Sequence, residues 1–298
     1  MPLDADQLDA FWHVVEAGGF HHAAAALHLS QPAVTQRIRA LEAALGLRVF
    51  VRAGRGVALT EAGRTLLRHV AQARQAEAEL REALGDGAGG LAGRLALAAG
   101  TAEGVAALVP ALAEVGAAHP ALDLTLHLAD PLDPAAWLEE GRADVVLSEL
   151  PTRRAGLKAT KLGALSYGLV ASPALAAGWP DEPSLDVLLT QRAIDFGPTD
   201  RVTLDHLAAC FPGADLGGLR RHFVADTQAI VRWAIAGGGF AVLPRALVVD
   251  ALAAGSLRLL WPGVVSRRPL YWCAGDGPPP PAARAVLAVV KRQIDKLE

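Results

Sequence analysis

Amide, hydroxyl and guanidinium side chains cluster between Gln31 and Arg55. Five arginines lie in this segment against one acid, Glu42, so its local charge is +4, although the whole chain has a formal charge of −3. Glutamine can pair with adenine and arginine with guanine, and arginines also bind phosphates. The alternative is a solvated helix face that binds nothing. The candidate DNA-binding residues are Ser30, Gln31, Pro32, Thr35, Gln36, Arg37, Arg39, Arg48, Arg52 and Arg55.

A helix over residues 31–45 would position most of these side chains. Ser30 is a suitable N-cap, and Pro32 in the first turn loses no hydrogen bond. Val34, Ile38 and Leu41 fall on one apolar face, which leaves the amide and guanidinium groups on the opposite face.

Helices precede this segment and a β-hairpin follows it. Leu8, Phe11, Trp12 and Val15 have the spacing of an amphipathic helix, and a short second helix is predicted over residues 22–27. Residues 47–59 alternate loosely around glycines, as hairpins do. This arrangement predicts a winged helix-turn-helix.

A long helix is predicted from residue 61 to residue 84. Its apolar positions recur at alternating steps of four and three residues, which is typical of a coiled-coil seam. The alternative is a helix that packs on its own domain. The seam positions are Leu66, Val70, Ala73, Glu77, Leu80 and Leu84.

Short apolar strands alternate with helical patterns after a glycine-rich linker at residues 85–92. Strands are predicted at 94–99, 122–128 and 143–147, with helices at 101–118 and 134–140. More strands follow at 168–171, 193–196, 222–224 and 240–243, and the last helix is predicted at 282–297. This alternation predicts parallel α/β sheets with right-handed crossovers.

Composition excludes several classes of protein. A chain with 52% hydrophobic and 20% charged residues is globular. Its two cysteines, Cys210 and Cys273, cannot form a disulfide framework, and no histidine has metal-ligand spacing, so we expect no metal, no cofactor and no enzymatic activity. The chain starts without a basic-then-apolar leader, which predicts a cytoplasmic protein with no membrane partner.

Residues 11–67 closely resemble the N-terminal domain of LysR-type transcriptional regulators. The resemblance includes the runs Ser30-Gln31-Pro32-Ala33-Val34 and Leu59-Thr60-Glu61-Ala62-Gly63. It implies an α+β multidomain protein, with a winged helix-turn-helix, a dimerising linker helix and a two-lobed α/β effector domain similar to periplasmic solute-binding proteins. The implied partners are promoter double-stranded DNA, further copies of the chain in a dimer or tetramer, a small-molecule effector and RNA polymerase.

The resemblance and the linker together divide the chain. Residues 1–60 form the DNA-binding domain, 61–84 the linker helix, 85–92 a hinge and 93–298 the effector domain. Within the effector domain we expect lobe I at about 93–160 and 268–298, and lobe II at about 161–267.

The effector site is expected where strands end and helices begin. Thr101 stands at such a turn, where free N–H groups and a hydroxyl can hold a carboxylate, although simple N-capping is the alternative. In LysR-type proteins the matching turn commonly touches the ligand, and acidic groups nearby would suit a cation. The candidates are Thr101, Ala102, Ser148, Glu149, Asp195, Thr199, Asp200, Thr203, Asp226 and Thr227.

Two signals remain open at this point. Residues 221–263, with Pro269-Leu270-Tyr271-Trp272 after them, resemble the arginine/lysine-responsive branch of the family, which implies a basic amino acid as effector. The alternative is a peroxide sensor, in which protonated His206, aided by Arg220 or Arg221, lowers the pKa of Cys210. For Cys210 the other alternative is an ordinary buried core thiol. For the whole chain, a solute-binding protein and an enzyme are the alternative functions.

Overall fold

The computed structural model describes residues 3–53, 56–83, 91–129 and 133–294. The chain divides into two compact units, residues 1–88 with 139–141, and residues 89–138 with 142–298. Arg55, Leu84, most of the predicted hinge and the end of the predicted last helix lie outside the described residues.

Unit 1 consists of helices and one hairpin. The helices are α1 Ala5–Glu16, α2 Phe20–Ala26, α3 Gln31–Leu45 and α4 Glu61–Ala83. The strands β1 Phe50–Ala53 and β2 Gly56–Leu59 pair antiparallel. The Ser30 hydroxyl accepts a hydrogen bond from the Ala33 amide at the start of α3, and Gly46 ends this helix in the left-handed conformation.

The core of unit 1 also takes up the beginning of α4. Phe11, Val34 and Leu41 are buried together, and Leu66 and Val70 pack into the same core. The first two positions of the predicted coiled-coil seam therefore pack inside unit 1, as in the alternative of a helix that packs on its own domain. Leu80 falls outside the described side chains.

Unit 2 is built on a mixed seven-stranded sheet. Its strands run in the order β10-β6-β11-β5-β3-β4, with β9 also paired to β6, and β7 and β8 form a separate parallel pair. The strands are β3 Gly93–Ala99, β4 Leu122–Leu128, β5 Val145–Ser148, β6 Leu157–Ala171, β7 Arg192–Asp195, β8 Arg220–Phe223, β9 Ala241–Pro244, β10 Arg258–Leu260 and β11 Ser266–Gly275.

The prediction of parallel sheets was only partly right. In the seven-stranded sheet β3 pairs parallel with β4 and β5. The antiparallel pairs are β11 with β5 and β6, and β6 with β9 and β10. One cause is the long strand β11, whose whole length runs antiparallel along residues 157–167 of β6. The sequence predicts only the last four residues of β6, because the earlier part carries Lys158 and Lys161.

Helices cover this sheet. They are α5 Thr101–Glu103, α6 Val109–Ala118, α7 Pro134–Glu139, α8 Leu185–Leu189, α9 Val202–Cys210, α10 Thr227–Ile235, α11 Arg245–Ala253 and α12 Pro281–Ile294. A π-helical turn, Gly104–Leu108, joins α5 to α6 within the single helix predicted at 101–118. This segment is apolar enough to cross a membrane by length and composition alone, but Ala107, Leu108 and Ala111 are buried in the core of unit 2, as in a core helix of a soluble domain.

Candidate DNA-binding surface and effector site

The outer face of α3 and the hairpin carry the predicted DNA-binding residues. Thr35 and Arg37 are half-buried. The Thr35 hydroxyl donates to the Gln31 carbonyl, and Arg37 donates to Asp6 of α1 at 2.9 Å. The other described members are exposed, and they are Ser30, Gln31, Pro32, Gln36, Arg39, Arg48 and Arg52. The ion pair with Asp6 offsets the charge of Arg37, so the free cations of this face are Arg39, Arg48 and Arg52 among the described candidates.

Hydrogen bonds fasten the hairpin to the helices on both sides. The Glu42 carboxylate of α3 accepts from the Val49 amide at 2.9 Å. Thr60 donates its hydroxyl to the Arg48 carbonyl at 2.6 Å and accepts from the Gly63 amide at 2.9 Å. A Cβ on Gly63 would lie 2.1 Å from the Val49 carbonyl oxygen, so only glycine fits there. The arginine-bearing hairpin is therefore held in a fixed position against α3 and α4.

Two predicted effector residues meet in unit 2. The hydroxyls of Thr101, at the start of α5, and Thr227, at the start of α10, are 3.0 Å apart. These residues come from the predicted lobes I and II. A hydroxyl pair between two helix starts can hold an anionic group such as a carboxylate.

A charged network surrounds Glu149, which follows β5. Its carboxylate accepts from the Tyr167 hydroxyl at 3.0 Å and from Arg268 Nη1 at 2.8 Å. The second terminal nitrogen of Arg268 lies 3.6 Å from Asp205 Oδ2. Of these four residues the sequence predicted only Glu149. The pair Arg267-Arg268, directly before the largely apolar run at residues 269–274, was the signal that could have identified a second one.

The electrostatics of this network are dominated by acids. Burial raises the pKa of Tyr167 well above its usual value, and the negative charges of Glu149 and Glu103 raise it further. Burial opposes the charge on Arg268, but the hydrogen bond and charge of Glu149, with Asp200 nearby, raise the pKa of the guanidinium. The network is thus a negatively charged region that stabilises a cation.

Two predicted effector residues are instead internal. Asp195 is 3% exposed and Thr203 is 1% exposed. The Thr203 hydroxyl and Arg221 Nη1 both donate to the Asp195 carboxylate. Burial raises the pKa of Asp195, and these two hydrogen bonds lower it. The carboxylate is satisfied inside the fold, which corrects the expected place of Asp195 and Thr203 beside a ligand.

The remaining candidates mostly support local backbone. Asp226 caps α10 by accepting from the Ala229 amide, Asp200 accepts from the Val202 amide at 3.0 Å, and buried Ser148 accepts from the Leu150 amide at 3.0 Å. Thr199 is exposed and Ala102 is half-buried.

The structure contradicts the premise of a reactive thiol. His206 is fully buried, its Nδ1 lies 2.8 Å from the Ser266 hydroxyl, and burial, together with the charge of Arg245, lowers its pKa to about 4. Burial and the charge of Glu182 raise the pKa of Cys210 to about 11. Arg221 is engaged with Asp195. A neutral histidine cannot stabilise a thiolate, so Cys210 is a protonated core thiol near pH 7.

Comparison with protein families matches both parts of the chain. The family described as bacterial regulatory helix-turn-helix protein, lysR family, matches residues 5–64, and the LysR substrate binding domain matches residues 88–295. The transcriptional regulator ArgP of Pseudomonas fluorescens is 36% identical over 280 residues, which is 91% of this chain and 90% of that protein.

Solved structures agree with these matches over the whole chain. The crystal structure of ArgP from Mycobacterium tuberculosis is similar with a TM-score of 0.75 at 26% identity over 99% of both chains. Full-length LysG from Corynebacterium glutamicum with bound effector Arg has a TM-score of 0.68 at 25% identity over 98% of both chains. With a helix-turn-helix in unit 1 and an effector-binding domain in unit 2, this chain belongs to the LysR family of DNA-binding transcriptional regulators.

Proposed function

We propose that the protein is a cytoplasmic one-component regulator whose effector is a basic amino acid. The observation that carries this proposal is the acidic network of Glu149 and Asp205 in the same unit as the hydroxyl pair of Thr101 and Thr227. A free basic amino acid has a carboxylate at one end and a cation at the other, which is the charge pattern of these two groups. The similarity to ArgP, and to a LysG structure with bound Arg, supports the same ligand class.

The DNA-binding roles follow from exposure and chemistry. We infer that Gln31, Gln36 and Arg39 contact base edges, while Arg48 and Arg52 contact phosphates. Arg55 keeps its predicted role in the hairpin. RNA polymerase is the proposed downstream partner, and no catalytic step is required.

Self-association is proposed through unit 2 as well as through α4. Two edge strands carry exposed apolar side chains, Leu128 on β4 and Phe223 on β8, and Trp233 of α10 is exposed too. Exposed apolar surface of this kind is typical of protein interfaces. A symmetric dimer would bring two copies of α3 to two half-sites of one promoter.

The effector would act by selecting one arrangement of the regulator. It can shift the equilibrium only if it binds one arrangement more tightly than the other. A ligand that bridges Thr101 and Glu149 of predicted lobe I to Thr227 and Asp205 of predicted lobe II meets this condition, because its affinity depends on the distance between the lobes.

The proposal is tested by two titrations of the full-length protein. Calorimetry with L-arginine, L-lysine and L-glutamate should show binding of the two basic amino acids only, and fluorescence anisotropy should show salt-sensitive binding of DNA from upstream of the gene. Arginine should change the DNA affinity. Binding of glutamate in place of arginine and lysine would contradict the effector assignment, and salt-insensitive or absent DNA binding would contradict the DNA-binding surface.

A further inference from the structure

Arg268 is a cation of the protein's own among the acids of the proposed effector site. Its guanidinium donates to Glu149 at 2.8 Å and lies 3.6 Å from Asp205, while the negative charge of Asp200 helps to raise its pKa. The Arg268 side chain is 29% exposed and that of Glu149 is 20% exposed, so this ion pair is largely shielded from water. Asp205 also pairs with Arg201, whose side chain is 69% exposed.

Arg268 also lies near carboxylates of both predicted lobes. Arg268 belongs to β11, which pairs with β6 on one side and with β5 on the other. Glu149 follows β5 in predicted lobe I, whereas Asp205 lies on α9 in predicted lobe II. The guanidinium therefore stands between carboxylates of both lobes. The next residue on the strand, Arg267, is exposed.

The Arg268 side chain and the side chain of a basic amino acid are both cations that bind carboxylates. A planar guanidinium forms two directed hydrogen bonds with a carboxylate, and the side chain of a basic amino acid offers the same interaction or a point charge. A cationic ligand that reaches Glu149 must therefore replace Arg268 there. A neutral ligand cannot replace the positive charge of Arg268, and Glu149 would then keep only the hydrogen bond from the Tyr167 hydroxyl, which is costly for a partly buried carboxylate.

We propose that Arg268 is a specificity-determining residue that occupies the ligand's cation position at Glu149 and is displaced from it by a basic amino acid. The displaced guanidinium keeps its contact with Asp205 of predicted lobe II and loses its bond to Glu149 of predicted lobe I. This inference rests on the proposed function, because it takes a basic amino acid as the ligand.

The matching experiment uses two ligands that differ in charge alone. L-Arginine and L-citrulline have nearly the same shape, but citrulline carries a neutral urea in place of the guanidinium. Calorimetry compares the wild-type protein with Arg268→Met and with the control Arg267→Met on the adjacent, exposed position. Arg268→Met should bind arginine about tenfold more tightly, because no internal cation competes for Glu149, while citrulline binding stays the same or weakens. Arg267→Met should match the wild type.

The ratio of the two dissociation constants separates the outcomes. If Arg268 instead holds the ligand's carboxylate, both ligands will bind more weakly to Arg268→Met by the same factor, and the inference is overturned. A purely structural role would leave the ratio unchanged and overturns it equally. Wild-type protein that binds neither arginine nor lysine refutes the proposed function and this inference together, whereas wild-type binding with an unchanged ratio refutes the inference alone. Thermal melts check that each variant is folded, and Arg268→Gln serves as a second variant if the methionine variant is not.

Discussion

Helical spacing predicts that His206 and Cys210 lie on one side of α9, but it does not predict how deeply the two side chains are buried. An imidazole four residues from a thiol can lower the thiol pKa when it is protonated. In this fold the imidazole is fully buried and hydrogen-bonded to Ser266. Desolvation keeps both groups neutral, so the pair has the opposite electrostatic character from that of an activated thiol.

We expect Cys210 to remain a thiol at physiological pH. A pH titration of the thiolate absorbance, in the wild type and in Cys210→Ser, isolates this residue from Cys273 by difference. The difference spectrum should titrate with a pKa of about 11, the value that burial and Glu182 produce. A thiolate that forms near neutral pH, or a peroxide response abolished by Cys210→Ser, would restore the redox hypothesis.

Arg268 was not predicted because its importance depends on contacts that are distant in the sequence. The sequence shows Arg268 only as one of two adjacent arginines near the start of β11, and only the fold brings it to Glu149, 119 residues away. Thr101 and Glu149 were accessible to prediction because each follows a strand whose end is visible in the sequence.

At the scale of single elements, the two arginines of α3 should differ in their effect on DNA binding. Arg39 is exposed, while Arg37 is paired with Asp6. Arg39→Ala should weaken promoter binding by about 1–3 kcal/mol, and Arg37→Ala should weaken it less. Fluorescence anisotropy at a fixed salt concentration measures both, and an equal loss in the two variants would contradict the assignment of Arg39 to the base-reading face.

The attachment of the hairpin to α3 should depend on the carboxylate of Glu42. Glu42→Ala leaves the part-buried Val49 amide without its acceptor, which should lower the free energy of unfolding of unit 1 by about 1–3 kcal/mol. Glu42→Gln retains an acceptor and should lose less. Chemical denaturation provides the measurement, and equal stability of the alanine variant and the wild type would show that the hairpin is held in other ways.

Elements with a complete local pattern were predictable. For α3 both the N-cap and the left-handed glycine stand in the sequence, and the predicted range coincides with the helix. For β4 the apolar and polar residue types alternate along the sequence, and the predicted range coincides with the strand. The antiparallel return of β11 along β6 was not predictable, because strand direction within a sheet depends on pairing across about a hundred residues rather than on local pattern.

At the scale of the whole molecule, the stability of unit 2 should fall in mild acid. His206 has a pKa of about 4 in the fold, against an ordinary value of 6.5. Below pH 6.5 the unfolded chain binds a proton that the folded chain does not bind, so stability declines as the pH falls from 6.5 to 4, by about 3 kcal/mol, and this contribution is constant above pH 6.5.

Denaturant titrations at several pH values measure this decline. The variant His206→Gln should show a flatter profile over the same interval, because glutamine has no proton to gain. If the wild type and the variant keep parallel profiles, another group is responsible for the acid sensitivity.

The edge of unit 2 should contribute to the oligomeric state. Phe223 is 44% exposed on the edge strand β8, and Val249, which is 58% exposed on α11, provides a matched control. Removing a buried phenylalanine from an interface costs about 1.5–3 kcal/mol, so Phe223→Ser should weaken self-association about tenfold or more. Sedimentation velocity over a range of concentrations should show no such change for Val249→Ser, and an equal effect of both substitutions would contradict an interface at β8.

The close approach of Gly63 to the Val49 carbonyl has a mechanical consequence. With Thr60 bonded to Arg48 as well, the first turn of α4 and the hairpin cannot slide past each other. Any tilt of the long helix must therefore swing Arg48 and Arg52 by the same angle. Because Glu42 bonds α3 to the same segment, α3 would move with the hairpin, and the path of a bound duplex would follow the direction of α4.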